Sequence, residues 1–349
     1  MTCNASGATS RANREGQDLG PVSSAVVSAL AWIGRYGTLG FALSIFCGLA
    51  LPQFAAAARP LLPITIFMFV ALTFARADMG ALRAALARPK AVIIGVVWLL
   101  LAPIIVTSAF LALAPRDWLD PGLALGLAIV AASPPVMSGP AIAMMLNLEP
   151  TVLMAATIIT TLLTPLIGPP IADWVSGGHA PIDTSVLALR LLGLFGGALV
   201  FAFVLRRLID RAAMARHKLS FDGFGVVMYF LFAIAAMDGV TKAALERPAT
   251  VALYLAIAFG IVLSGMVLAH LVLRLFLPAS DCFLLGYSTG QRNMGAMIAA
   301  MGAATPESTF LFFALAQFPI YLSPLLLKPF AKRFAIPPGT IPPGSHLPS

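Results

Sequence analysis

Long apolar runs separated by short clusters of charge, proline and glycine fill most of the chain. Residues 91–114 and 250–277 are apolar on nearly every side of a helix, whereas a soluble helix keeps a polar face. About 20 such residues in a helix cross the roughly 30 Å apolar core of a bilayer. Division at the polar punctuation predicts ten spans, with nine as the alternative count: about 37–53, 60–76, 91–114, 121–147, 150–174, 184–205, 221–243, 249–273, 280–303 and 307–328.

Residues 22–32, which precede the first span, are weakly apolar. They predict either an interfacial helix that leads into the membrane or an extension of the first span. Residues 1–24 and 334–349 are predicted to be cytoplasmic tails, and residues 25–333 the transmembrane domain. The start of the chain lacks the compact basic and apolar order of a cleaved signal peptide.

Composition agrees with an all-α polytopic membrane protein, because 60% of the 349 residues are hydrophobic and only 10% are charged. Soluble domains carry about 25% charged residues. The calculated pI of about 9.9 does not predict nucleic-acid binding, since no basic module with interleaved aromatic residues is present. Cys3, Cys47 and Cys282 are too far apart for a zinc motif, and no metal or other cofactor is predicted.

Basic residues also predict the orientation, because lysine and arginine in short loops favour the cytoplasm. With ten spans, only Arg59, Arg116, Lys242 and Arg247 fall on the outer side, while Arg190 and Arg292 fall within spans. The other basic residues lie on the side of the N-terminus. Both termini are therefore predicted to be cytoplasmic, in a multi-pass protein of the cell membrane.

Two predicted spans are interrupted by residues that disfavour a helix. Residues 133–140 (SPPVMSGP) interrupt the fourth span, and residues 288–293 (STGQRN) interrupt the ninth. Each is the fourth span of a five-span half, and matching breaks in two halves are the best sequence signal for the binding site of an inverted-repeat transporter. The sequence thus predicts two inverted five-helix repeats whose broken helices four and nine cross at the site.

Arg292 is the most informative residue in these breaks. A charge at membrane depth costs at least about 2.5–3.5 kcal/mol and normally faces a partner or water. Its planar guanidinium suits a carboxylate or sulfonate of a substrate. The alternatives are a buried ion pair, or a cap on carbonyl groups that the break in span four frees. Asp238 is the deepest of the acidic residues and has Lys242 one helical turn later as its candidate partner.

Several short motifs carry a resemblance to a known family. They are Phe67-Met68-Phe69, Arg88-Pro89-Lys90 leading to Pro103, Thr160 to Pro165 (TTLLTP), and Gly290 to Gly295 (GQRNMG). On these motifs, residues 37–333 resemble the bile acid:sodium symporter family. The resemblance implies a ten-helix fold in which a core domain, about 91–174 and 249–328, rocks against a panel domain, about 37–76 and 184–243.

Positions that hold sodium in that family differ in this chain. The resemblance places Gly139 and Pro140 at a Ser-Asn pair, Ser288 at a glutamate and Arg292 at a glutamine. Leu153 stands at a serine, Trp98 at a glutamine, and the neighbouring threonine is retained as Thr157. We therefore expect transport that is independent of sodium or linked to protons, with the Arg292 charge in place of the bound cation.

The expected function is secondary active transport of a small organic anion by alternating access, and the expected class of substrate includes sterol acids, short carboxylates and sulfonates. A membrane receptor or sensor that binds a small molecule is the alternative, and an arsenite transporter is disfavoured because Ser133 stands where a cysteine is expected. No catalytic triad, metal cluster or phosphate loop indicates an enzyme. The predicted substrate site comprises Arg292, Asn293, Gln291, Ser288, Thr289, Ser138, Pro140 and Thr157.

Overall fold

The computed structural model describes residues 21–77, 79–115, 118–178, 183–209 and 211–334. Every regular element in those ranges is a helix. Residues 1–20 and 335–349, which make up most of the two predicted tails, lie outside the described residues. The first described helix begins at Pro21, a little before the predicted start of the transmembrane domain.

The first half of the chain forms nine α-helices in the described ranges. A 3₁₀ turn at Arg59–Leu61 links the third helix to the fourth. The bounds are α1 Pro21–Arg35, α2 Gly37–Ala50, α3 Pro52–Ala58, α4 Leu62–Arg76, α5 Met79–Leu86, α6 Pro89–Leu113, α7 Pro121–Ala132, α8 Gly139–Met145 and α9 Thr151–Val175.

The second half forms nine more helices in the described ranges. Short 3₁₀ turns follow two of them, at Leu273–Leu275 and Gly302–Ala304. The bounds are α10 Thr184–Leu208, α11 Arg211–Arg216, α12 Lys218–Ala236, α13 Val240–Glu246, α14 Pro248–Val272, α15 Ala279–Gly290, α16 Met294–Met301, α17 Glu307–Leu315 and α18 Gln317–Ala331.

Local sequence explains where many of these helices begin. Proline occupies the first position of α3, α6, α7 and α14, where its missing N–H is not needed and its fixed φ suits a helix. The Asp120 carboxylate accepts hydrogen bonds from two backbone N–H groups at the start of α7, and Asp183 does the same for α10. These caps satisfy donors that have no partner within the helix.

Six helical stretches in the described part are long and apolar enough to cross a membrane, which fits a multi-pass membrane protein. A bent pair, Glu307–Ser323 and Leu325–Ala331, meets at 44° and makes seven if it is one span. The six stretches are Pro52–Arg76, Pro89–Leu113, Thr151–Val175, Thr184–Leu208, Lys218–Glu246 and Pro248–Leu275.

The remaining predicted spans correspond to shorter helices. The first is α2, which has 14 residues, and the fourth and ninth are each divided into two short helices. Helix α1 packs against the start of α12, where the Ser220 hydroxyl donates to the Val27 carbonyl at 3.0 Å. A Cβ at Gly223 would collide with the Leu30 carbonyl, so glycine permits this close approach.

Asp238 does not pair with Lys242 as the sequence suggested. Its carboxylate binds the Arg59 guanidinium at 3.1 Å. The predicted pairing required a continuous helix, but α12 ends at Ala236 and Gly239 has a left-handed φ of 76°. The guanidinium of Arg59 also lies 4.0 Å above the Phe310 ring, so this arginine joins three separated parts of the chain.

Glycines let α14 and α15 approach each other until their backbones are in contact. The spacing of Gly286 and Gly290 is the small-xxx-small pattern that favours close helix pairs in membranes. A Cβ at Gly290 would lie 2.5 Å from the Val262 Cα, and one at Gly265 would lie 2.6 Å from the Thr289 Cβ. This contact fixes the helix that ends at the second break.

We expect Gly290→Ala to lower the free energy of unfolding by about 1–3 kcal/mol, because the added methyl meets backbone that cannot rotate away. Gly260→Ala in α14 is the matched control, since a Cβ there has no neighbour within 4 Å. Thermal unfolding in detergent measures both variants. Equal melting temperatures for the two variants would show that the backbone contact at Gly290 accommodates a methyl group, against the close approach described here.

Candidate functional site

Both predicted breaks interrupt helices in the structure. Helix α7 ends at Ala132, and the chain is extended at Ser133, with φ −74° and ψ 150°. Pro134 and Pro135 lack N–H groups and cannot continue the helical ladder. In the second break, α15 ends at Gly290 and α16 begins at Met294. Each break therefore leaves backbone groups without helical partners.

The two extended segments cross and bind each other. The Val136 N–H donates to the Gln291 carbonyl at 2.9 Å, and the Asn293 N–H donates to the Pro134 carbonyl at 2.8 Å. Pro135 and Arg292 face each other across this short antiparallel bridge. Apolar surroundings offer freed backbone groups few other partners, so the pairing stabilises both breaks.

Arg292 is 3% exposed, and its Nη2 donates to the Ser133 carbonyl. That contact corresponds to the capping role considered from the sequence, because Ser133 is the residue at which α7 ends. The negative end of the α7 dipole also favours a cation there. Among the described residues, no carboxylate forms an ion pair with Arg292.

Two of the three guanidinium nitrogens have no partner among the residues that the structure describes. Arg292 Nε and Nη1 are buried and form no hydrogen bond. A buried donor of a charged group without a partner is costly, and the cost exceeds that of a neutral group. Such an arrangement is suited to a ligand that supplies the missing acceptor atoms.

Three further polar side chains are buried and find no hydrogen-bond partner among the described residues. They are both amide atoms of Gln291, the Ser288 hydroxyl and the Thr157 hydroxyl. Gln291 is 0% exposed, and Ser288 and Thr157 are each 1% exposed. Native interiors leave few such groups unsatisfied, and each one calls for an explanation. All of them belong to the site predicted from the sequence.

Thr289 differs from its neighbours because its hydroxyl is fully used. It accepts a hydrogen bond from the Trp98 indole N–H at 2.9 Å and donates to the Leu285 carbonyl at 2.9 Å. The structure therefore gives Thr289 a packing role rather than a free hydroxyl. Trp98 was not in the predicted site. Its indole N–H needs a hydrogen-bond partner when it is buried, so a tryptophan within an apolar run was the sequence feature that could have indicated this contact.

The remaining predicted residues contribute mainly through their backbone. Asn293 is half-buried. Its N–H donates to the Pro134 carbonyl in the bridge, and its carbonyl accepts from the Ala296 N–H in the first turn of α16. Ser138 precedes α8 without a side-chain capping bond, and its carbonyl accepts from the Ile142 N–H at 2.9 Å. Pro140 lies in the first turn of that helix and is half-buried.

The positions that depart from the resembled family come together beside the bridge. A Cβ built on Gly139 would lie 3.6 Å from the Ser288 Oγ and 3.6 Å from the Leu153 Cδ2. Thr157 follows Leu153 by one turn of α9. This corner has hydroxyls but no carboxylate, and within the described residues no group of three or more His, Cys, Asp or Glu side chains is placed to hold a metal ion.

Comparisons with known proteins assign no family. No protein-family model matches the chain, and no curated protein matches it. The resemblance therefore rests on the short motifs given above. The geometry of the crossed breaks is independent of it.

We expect Thr157→Val to raise the free energy of unfolding by about 1 kcal/mol, because it replaces an unsatisfied buried hydroxyl by a methyl group of similar shape. Thr161→Val is the matched control in the same helix, since the Thr161 hydroxyl already donates to the Thr157 carbonyl at 2.7 Å. Thermal unfolding compares the two. A larger stabilisation by the control would contradict the assignment of Thr157 as the unsatisfied group.

Proposed function

We propose that this chain is a secondary transporter that moves a small organic anion across the membrane by alternating access. The observation that carries the proposal is the Arg292 guanidinium, buried at the crossing of two broken helices with Nε and Nη1 unpartnered. A carboxylate or sulfonate neutralises the charge and supplies an acceptor for one unpartnered N–H, and a second acceptor group of the substrate reaches the other.

The proposed architecture has ten spans in two inverted five-helix repeats, with both termini cytoplasmic, as in the bile acid:sodium symporter family. It is supported by the division of the predicted fourth and ninth spans at matching places, and by the antiparallel pairing of the two breaks. In this proposal, α6 to α9 and α14 to α18 belong to the core, and α2 to α4 and α10 to α12 belong to the panel.

The site is closed in the conformation described, since Arg292 and Gln291 are almost wholly buried. Movement of the panel relative to the core then has to open the crossing to one side of the membrane at a time. Gln291 and Ser288 lie within the same break as Arg292 and add neutral donors and acceptors for the rest of the substrate. Their unsatisfied atoms favour a substrate that bears hydroxyl or amide groups beside its anion.

Sodium is not required for the proposed cycle. A cation site needs several oxygen ligands and usually a counter-charge, but Gly139, Leu153 and Ser288 provide one hydroxyl between them. The fixed charge of Arg292 takes over the attraction for the anion. Proton coupling is compatible with this arrangement.

Uptake of three candidate substrates into proteoliposomes tests the role of Arg292: a sterol acid, a short carboxylate and a sulfonate. We expect substitution of Arg292 to abolish or greatly weaken the uptake of at least one of them. Arg292→Gln removes the charge and should reduce kcat/KM by more than about 100-fold, while Arg292→Lys keeps the charge without the fork and should raise KM by about tenfold or more. Normal kinetics in both variants would exclude Arg292 as the anion site.

Arg190→Gln is the matched control for that experiment. Arg190 is the other arginine within a predicted span, and its Nη1 donates to the Ala300 carbonyl at 3.0 Å, away from the bridge. Its substitution should leave KM within about threefold of the parent value. An equal loss in both arginine variants would indicate a general structural effect.

We expect replacement of a sodium gradient by a potassium or N-methylglucamine gradient of equal ionic strength to change the initial uptake rate by less than about twofold. The physical reason is that the crossing has no carboxylate among the described residues to balance the charge of a bound sodium ion. Proteoliposomes loaded identically and assayed with and without a pH gradient then test proton coupling. A dependence on sodium of tenfold or more would contradict the sodium-independent cycle.

A further inference from the structure

An apolar cavity of about 440 Å³ opens between α1, α4, α10 and α12, in a part of the chain remote in sequence from the crossed breaks. Its walls include Leu30 from α1, Leu72 from α4, Leu205 from α10 and Phe224 from α12. The volume falls in the range of small-ligand sites, about 300–1,000 Å³. Water is a poor occupant, because an apolar cavity of this kind offers it few hydrogen-bond partners.

One end of the cavity lies at the connection between α10 and α12. Ile209, at the end of α10, and His217, just before α12, both line the cavity. Arg206, Arg207, Arg211, Arg216 and Lys218 all fall within this short connection or at its edges. Basic residues therefore flank the lining residues Ile209 and His217 along the chain.

Not every arginine near the mouth is available to a ligand. Arg206 donates to the Ala75 and Ala77 carbonyls, and Arg76 forms an ion pair with Asp222 at 2.5 Å. In contrast, Arg216 and Lys218, on either side of the lining residue His217, are exposed and form no ion pair with a described residue. The Arg207 guanidinium lies 4.8 Å from the Phe203 ring, on the face of α10 opposite the lining residues Phe201 and Leu205, so it points away from the cavity.

We propose that this cavity binds one anionic phospholipid, with an acyl chain between the helices and the phosphate at Arg216 and Lys218. The apolar walls match a hydrocarbon chain, and the free cations match the negative headgroup. Basic pockets between membrane helices on the cytoplasmic side bind anionic lipid headgroups, and this connection is predicted to be cytoplasmic. The proposal does not depend on the function proposed for Arg292.

The experiment uses the purified full-length protein in detergent. Phosphatidylglycerol and phosphatidylcholine with the same palmitoyl and oleoyl chains are titrated separately, and inorganic phosphate forms a third arm. Native mass spectrometry measures the retained lipid, and thermal unfolding measures the accompanying stabilisation. We expect phosphatidylglycerol to bind at least tenfold more tightly than phosphatidylcholine, and phosphate alone to have no effect.

Two charge variants separate the mouth from the rest of the basic surface. Arg216→Gln with Lys218→Gln should weaken phosphatidylglycerol binding about 30-fold, because each basic residue near a membrane surface contributes about fivefold. Arg274→Gln with Lys332→Gln removes the same charge from two exposed residues outside the cavity lining and should have little effect. Leu72→Trp fills the cavity and should weaken binding of both lipids.

Equal affinity for the two phospholipids would overturn the proposal and leave an unselective gap filled by any lipid chain. An equal loss of phosphatidylglycerol binding in the two charge variants would also overturn it, because the attraction would then be general. Competition by inorganic phosphate as strong as that by the lipid would indicate a free-anion site instead. If Leu72→Trp fails to fold, the charge variants still decide between these outcomes.

Discussion

The pairing of two broken helices through their backbones is the interaction on which the centre of this protein depends. Each break frees N–H and carbonyl groups that an apolar environment does not satisfy. The Val136 N–H and the Asn293 N–H each find a carbonyl in the opposite segment. One break without the other would leave both donors unsatisfied, so the two interruptions stabilise each other as a pair.

Side chains around the crossing follow from that constraint. Proline at 134 and 135 decides where α7 stops, and the freed Ser133 carbonyl accepts from Arg292. Because the bridge consumes only backbone groups, the side chains of Gln291 and Arg292 remain largely unsatisfied. Stability and binding are therefore in tension here, since the most stable closed site would replace these polar groups by apolar ones.

The sequence predicted the features that depend on local chemistry. Apolar runs of sufficient length indicated membrane helices, and the proline and polar clusters placed both interruptions within a residue or two of where α7 and α15 end. Gln291, Arg292 and Asn293 of the predicted site belong to the second break, and Ser138 and Pro140 to the first. These signals are local because helix propagation and termination depend mainly on neighbouring residues.

Partners across the fold were not predictable in the same way. Asp238 binds Arg59, which is 179 positions away, and the Trp98 indole binds Thr289. Each contact depends on which helices pack together, and a single sequence carries little information on that packing. The short helices on either side of the breaks also fail the length expected of a span, so the number of crossings does not follow from helix length alone.

The close contact of α14 and α15 has a mechanical consequence. Glycine leaves almost no side-chain volume between Val262 and Gly290, so no rotamer can change to absorb a displacement of one helix relative to the other. A displacement of α14 therefore moves the backbone at Gly290, which lies two residues before Arg292. The position of the Arg292 guanidinium is therefore mechanically coupled to the position of α14.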